Sequence, residues 1–586
     1  MLACDARHRH PTPEPLQRRT RNQVMTTTLP RPTAPTPPNP ATRAANRLLT
    51  RLLRLPGTRH GYRVERNIPT PARDGAVLMT DHYAPVTDRP KGTVLVRTPY
   101  GRGFPSNLEA RVYADRGYHV VLQSCRGTFG STGDFYPMAN EADDAQDAVA
   151  WLRTQPWFDG RLATAGASYV GWTQWALLMD PPPELRACLI AVAPHDMHDA
   201  AHGSGAFRLG DFLSFAEMVV NQERFTGLRA MPRMLTLNRR LAPVFGALPL
   251  ADAADQATGH RAAWFREWLT TPERDDPVWD RLKLGDALER VDVPVRLTAG
   301  WQDLFLDQTL HQYQALRTRG VDVSITVGPW THQELGQKGM GRLVRGNLEW
   351  LEIHLADEAP TRLRSAPSVE VYVTGQGAWR HLDQWPPVTS ATVRYLQPGG
   401  KLVADKPGEG TPSTYLYDPA NPTPALGGPL LTLDAGSKDN AKLESRSDVL
   451  TFTTDPLTAP LEIIGTPVVE LAHTRNNPHA DVFVRLCDVD PKGVSRNVAE
   501  GLLRLDPASP LDQVQTVRVR LDACAHQVKT GHQVRLLIAG GSHPRYARSE
   551  GTGAAPGTGT ELRPCTHTVH HDSGAVSRVI LPTPTG

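Results

Sequence analysis

The chain has 586 residues, with 64 basic and 61 acidic side chains and a formal net charge of +3. Charge so evenly balanced argues against a nucleic-acid partner or a membrane surface, and the length exceeds what one core holds, so two or three domains are expected. Fifty-two prolines and 48 glycines point to many turns rather than a helical bundle.

The first 24 residues are basic but lack the apolar core of an export signal, and no stretch approaches the roughly 20 apolar residues of a membrane span. A cytoplasmic location is therefore expected. "TTTLPRPTAPTPPNPATRAA" (26–45) is rich in proline and threonine, so residues 1 to about 45 are expected to be disordered. "NRLLTRLLRL" (46–55) reads as a short basic amphipathic helix, a docking segment rather than a membrane anchor. The six cysteines, at 4, 125, 188, 487, 524 and 565, are too scattered for a zinc site or redox pair. They are expected to be buried thiols, and neither metal nor cofactor is expected.

From residue 62 the pattern changes. "GTVLVRTPYG" (92–101) and "GYHVVLQSCRG" (117–127) are buried-type apolar runs ending in turn residues. "NEADDAQDAVAWLRTQ" (140–155) predicts a helix with acids in its first turn, where the helix dipole favours them. "ATAGASYVG" (163–171) and "LRACLIAVAPH" (185–195) are the next strands, and strands alternating with helices predict a parallel sheet covered on both faces. Residues 197–288 break the alternation with helical, aromatic segments carrying Trp264, Trp268 and Trp279. It resumes with "VPVRLTAGWQD" (293–303) and "VSITVGPWTH" (323–332). After about 365 only short strands remain, spaced as in a β-sandwich or jelly roll.

Chemistry enters at "RLATAGASYVGWTQW" (161–175). A short apolar strand passes to a helix through Gly166, Ala167 and Ser168, with Gly171 beyond. That is the pattern of a nucleophile elbow, which lifts a serine hydroxyl above a sheet edge. The strict pattern has glycine two residues after the serine, where Val170 stands. The competing reading is a strand–helix junction with a capping serine.

A serine nucleophile needs a base and the base an orienting acid, in the order Ser, Asp or Glu, His in α/β-hydrolases. Asp303 and His332 end two predicted strands, at the sheet edge where such folds place ligands. Rivals are His195 and His198, which precede Asp303 and so break the order, and Asp307, a turn further into the next helix. The Tyr169 N–H is one candidate oxyanion donor by position. Tyr100, in the turn after an early strand, could supply a second through its phenol or simply pack.

"RTPYG", "RGTFGSTGDF", "WFDGRLATAGASYVGWTQW", "DDPVWDRL", "AGWQDLF", "VGPWTH" and "GHQVRLLIAGGSHPRYARS" together resemble the cocaine esterase / X-prolyl dipeptidyl-peptidase family of serine hydrolases, in family order from about residue 62 to the end. The resemblance implies an α/β fold: an α/β-hydrolase core with an inserted helical cap, then an all-β jelly-roll domain. The expected boundaries are a proline-rich extension with a short basic helix (1–61), the catalytic domain (62–196 and 289–364), the cap (197–288) and the jelly roll (365–586). By the same resemblance Ser168 is the nucleophile, Asp303 the acid, His332 the base, and Tyr100 and the Tyr169 N–H form the oxyanion hole. Phe305 resembles a residue of the acyl pocket, and a tryptophan of the insertion is expected to face the substrate.

Two departures stand out. "QSCRG" has Ser124 and Cys125 where the family usually has an aspartate before Arg-Gly. Val170 stands where α-amino acid ester hydrolases of this group carry an acid. The expected substrate is a small ester or amide, cleaved through an acyl-enzyme. Alternatives are X-Pro dipeptidyl-peptidase or α-amino acid ester hydrolase activity, for which Asp196, Asp199 or Asp211 could anchor an amine, and a carbohydrate-binding or structural role for the β domain. A homodimer is compatible with all of these.

Overall fold

A computed structural model of the chain describes residues 29–56, 59–226, 230–356 and 368–585. Its first sheet has ten strands: β1 (Tyr62–Pro71), β2 (Val77–Pro85), β3 (Thr93–Thr98), β4 (His119–Ser124), β5 (Leu162–Ala167), β6 (Leu185–Ala191), β7 (Val295–Gln302), β8 (Val323–Thr331), β9 (Val369–Val373) and β10 (Ala378–Leu382). Their order is β1-β2-β4-β3-β5-β6-β7-β8-β9-β10. The run from β4 to β9 is parallel, and β1, β2 and β10 are antiparallel to their neighbours.

Side chains alternate across a strand, so a sheet covered on both faces needs apolar residues at both parities. Val94, Val96, Val120, Leu122, Ala163, Ala165, Ala187 and Leu189 pack on one face with Val112, Tyr113, Leu348 and Leu351. Leu95, Val121, Leu162, Cys188 and Ile190 pack on the other with Val149, Trp172, Trp175 and Leu310.

Strands β9 and β10 follow the boundary expected at 365 and extend the first sheet: Val369 and Val371 pair with Ile325 and Val327 of β8. Alternation reveals a half-buried strand but not which sheet will accept it. Disorder was expected up to about residue 45, but Thr36 bridges to Val64 and a helix, Pro40–Leu52, begins with Asn39 accepting the Thr42 N–H at 2.8 Å. Residues 1–28 of that stretch lie outside the described residues. Trp264, Trp268 and Trp279 are all buried. They form the interior of the helical segment between β6 and β7, with ring centroids 4.7 Å apart for Trp264–Trp268 and 5.8 Å for Trp268–Trp279.

The C-terminal all-β domain is built on an eleven-stranded sheet around a core that includes Leu471, Val484, Leu486, Leu536 and Ile538. Cys125, Cys188, Cys487, Cys524 and Cys565 are buried and unpaired. Burial pushes the thiols of Cys188, Cys487 and Cys524 up to about 12, which removes them as nucleophiles.

Buried histidines set a pH limit. His82 bonds to His119 at 3.0 Å and stacks on Trp157, and His473 bonds to His567 at 3.0 Å. Burial lowers His82 to about 3, and His119, His473 and His543 to about 4, from an ordinary value of 6.5. The unfolded chain therefore binds more protons than the folded one between about 6.5 and 4, so stability is full above that window and falls as pH drops through it. Thermal melts should show the midpoint falling by ten degrees or more, roughly, from pH 7.5 to pH 4.5. A flat profile would show that these imidazoles are not held neutral.

Candidate active site

Ser168 sits between β5 and the helix Tyr169–Leu177 at φ 59°, ψ −124°, a region that ordinary residues avoid. Backbone bonds hold it there. Its N–H donates to the Ala191 carbonyl at 2.9 Å, and its carbonyl accepts from Gly171 at 2.9 Å and Trp172 at 3.0 Å. The shifted glycine now has a physical reason. Val170 lies back over Gly166, where any Cβ would overlap the valine, so the glycine two before the serine remains obligatory. Gly171 takes the close helix–strand approach, because a Cβ there would overlap that of Ala193.

The structure brings Ser168, Asp303 and His332 together. His332 follows β8, and its Nε2 lies 3.0 Å from Ser168 Oγ, while its Nδ1 lies 2.6 Å from Asp303 Oδ2. The other carboxylate oxygen, Asp303 Oδ1, accepts the Phe305 N–H at 2.8 Å, so both oxygens of a fully buried side chain are engaged. This constellation can pass the serine proton to the imidazole while the carboxylate fixes its tautomer.

The rivals lie elsewhere. His195 receives a bond from Gln312 at 3.2 Å and stacks on His311, and His198 bonds to the Pro272 carbonyl at 2.8 Å. Asp307 lies exposed in the first turn of the helix Leu306–Thr318.

Tyr100 follows β3, its N–H bonded to Thr98 Oγ1 at 3.1 Å and its ring 6.2 Å from that of Tyr169. The phenol interacts with the Ser168 hydroxyl, and burial raises its pKa, so it stays a proton donor. The Tyr169 phenol points away, donating to Glu141 at 2.8 Å and accepting the Met138 N–H at 2.8 Å. What Tyr169 offers at the site is its backbone N–H, which at the first position of a helix has no intrahelical acceptor. At the departure in "QSCRG" the Ser124 hydroxyl accepts from Arg102 at 2.5 Å and the Ser124 carbonyl accepts from the Ser131 hydroxyl at 3.0 Å, while the neighbouring Arg126 pairs with Asp74 at 2.6 Å and with Asp144 at 2.5 Å.

Phe305 packs edge-on to His332 at 5.6 Å. Two neighbours had no sequence signal. Phe215, on the helix Leu209–Asn221, lies 6.4 Å from the Tyr169 ring. Leu431 arrives from the β domain. Its N–H donates to Asp211 Oδ1 at 2.8 Å, and its carbonyl accepts from Gln333, beside His332, at 3.1 Å. The loop that carries it closes through paired bonds of 2.9 Å between Gly428 and Gly436, with Gly428 at φ 82° against the Glu500 carboxylate, where no Cβ fits. Glu500 is itself buried between Arg485 and Arg545.

The sheet order, the strained serine after β5 and the Ser–His–Asp contacts define a serine hydrolase of the α/β-hydrolase fold. Residues 74–334 match the X-Pro dipeptidyl-peptidase (S15) family, and residues 362–580 match the X-Pro dipeptidyl-peptidase C-terminal non-catalytic domain. The chain belongs to the cocaine esterase / X-prolyl dipeptidyl-peptidase family of serine hydrolases. It is 28% identical over 567 residues to a cocaine esterase of Rhodococcus sp. (strain MB1 Bresler), covering 89% of this chain and 98% of that protein. Its fold is shared with an α-amino acid ester hydrolase (TM-score 0.75) and with an aminopeptidase from a marine sediment Thaumarchaeota archaeon (TM-score 0.74). Each is 24% identical, covering 89% of this chain and 96% of the other.

Proposed function

We propose that the enzyme cleaves small esters through an acyl-enzyme on Ser168, and the observation that carries this is the unbroken contact from Asp303 through His332 to Ser168 Oγ. His332 Nε2 takes the hydroxyl proton as Oγ attacks the carbonyl carbon. The oxyanion is held by the Tyr100 phenol and the Tyr169 N–H. The imidazolium, with Nδ1–H bonded to Asp303, protonates the leaving alkoxide, and the C–O bond breaks. Water then attacks the acyl group with His332 again as base, releasing the carboxylic acid and restoring the serine. Removing the phenol in Tyr100→Phe should lower kcat on p-nitrophenyl butyrate by about ten- to a thousandfold with little change in KM. An unchanged kcat would remove Tyr100 from the oxyanion hole.

Ester rather than peptide is favoured because two of the three aspartates that could anchor an amine are engaged elsewhere. Asp196 caps the helix Met197–His202 and pairs with Arg274, and Asp199 accepts from Gln308 at 3.3 Å. Val170 leaves an apolar side chain where an amine-binding acid would stand. In this reading the β domain walls the site through Leu431 rather than binding carbohydrate. The buried free thiols suit a reducing compartment, and we assign the enzyme to the cytoplasm.

One observation supports a second reading. Asp211 Oδ2 is buried with no hydrogen-bond partner among the described residues, as a carboxylate awaiting a cationic group would be. Turnover of p-nitrophenyl butyrate beside Ala-Pro-p-nitroanilide separates the two. Ester cleavage alone is expected, and efficient release of p-nitroaniline would transfer the assignment to the dipeptidyl-peptidases.

A further inference from the structure

The net charge of +3 averages over a strongly uneven distribution. Residues 1–56 hold ten arginines against Asp5 and Glu14, so the other 530 residues carry a net charge of −5. Within residues 29–56 there are five arginines and no acid. The helix Pro40–Leu52 lies at the centre of this basic segment.

One face of that helix is fixed to the catalytic domain. Asn46 donates to the Tyr62 hydroxyl at 3.0 Å, Arg116 to the Thr50 hydroxyl at 3.3 Å, and Arg345 to the Leu53 carbonyl at 2.6 Å, while Leu49 and Leu53 pack on the core. The opposite face is apolar and open. Ala41, Ala45, Leu48 and Leu52 follow one another at helical spacing in an exposed stripe, with Leu48 57% and Leu52 68% accessible. Beside the stripe runs an exposed row formed by Arg43, Arg47 and Arg51, continued by Arg54, and no ion pair is formed by these four among the described residues.

We propose that this face rests on an anionic lipid surface, with Leu48 and Leu52 at the acyl boundary and the arginines on the lipid phosphates. An interfacial helix needs both features side by side: apolar area to bury and cationic side chains to hold it against anionic headgroups. A nucleic acid would use the arginines and leave the leucines in water. A second copy would present the same positive row, with no acid on this face to meet it. The helix is rigidly docked, so binding requires no folding step and orients the catalytic domain on the surface. The chain-wide charge balance, which argues against a membrane partner, obscures this arrangement because it sums over the acidic remainder. The proposal is independent of the catalytic reading.

Co-sedimentation of the full chain with vesicles tests it. Binding is expected with mixed phosphatidylcholine–phosphatidylglycerol vesicles, not with phosphatidylcholine alone, and should weaken with added salt. Leu48→Glu with Leu52→Glu, and separately Arg43→Gln, Arg47→Gln and Arg51→Gln together, should each lower partitioning roughly tenfold. Thermal melts should stay unchanged, because all five side chains face solvent. No binding to the mixed vesicles would overturn the proposal. So would binding that the leucine variant retains in full, which would mark a site for any polyanion. A dimer seen by sedimentation velocity that the leucine variant dissolves, without vesicle binding, would assign the stripe to a second copy instead.

Discussion

Replacing Ser168 with alanine is expected to leave a folded protein whose turnover of p-nitrophenyl butyrate falls by about 10⁴- to 10⁶-fold. The substitution removes only Oγ, the atom 3.0 Å from His332 Nε2. Everything that holds the residue at φ 59° is backbone: the bond to Ala191 and the two bonds from Gly171 and Trp172. Alanine meets the same steric cost at that φ as serine, so the melting temperature should move by no more than a few degrees. A fluorophosphonate probe should label the native protein and not the variant. Rates near those of the native protein would end the assignment of Ser168, and a collapsed melt would mean that the hydroxyl holds the turn together.

That the triad could be read from sequence has a physical basis. In a doubly wound sheet every parallel strand ends at the same edge, so residues that close consecutive strand patterns converge even when far apart in the chain. Ser168, Asp303 and His332 each follow such a strand, and the alternation of strand and helix was strong enough to locate all three. The same pattern placed Tyr100 in the turn after β3.

What escaped depends on contacts between segments whose local patterns carry no address. Leu431 reaches the site because Glu500, clamped between Arg485 and Arg545, seats the Gly428 turn, and nothing in "LGGPLL" encodes that. Strands β9 and β10 have the same period-2 pattern whichever sheet receives them. Trp264, Trp268 and Trp279 are large and clustered, which makes them the natural interior of a small helical layer, and Phe215 from the same segment lies beside Tyr169. Residues 29–45 look disordered by composition, yet the Thr36–Val64 bridge and the Asn39 cap give them a local anchor that composition does not weigh.

Asp303→Asn should lower kcat about 10⁴-fold while leaving stability almost unchanged, and the direction of the amide can be derived from the native contacts. Asp303 Oδ1 accepts the Phe305 N–H at 2.8 Å, and Oδ2 faces His332 Nδ1 at 2.6 Å. A buried N–H must find an acceptor, so the asparagine oxygen takes the place facing Phe305 and the amide nitrogen turns toward His332. That NH₂ group can only donate, which makes Nδ1 the acceptor and moves the imidazole proton to Nε2. An Nε2 that already carries hydrogen cannot receive the proton of Ser168, so the base is lost although no atom has moved far. Glutamate at 303 restores the charge but not the reach to both partners, and it should recover only part of the activity. The pair of variants therefore separates charge from tautomer. If Asp303→Asn kept a rate within tenfold of the native enzyme, the carboxylate would not be orienting His332, and Asp307, one turn further along the helix, would return as the candidate.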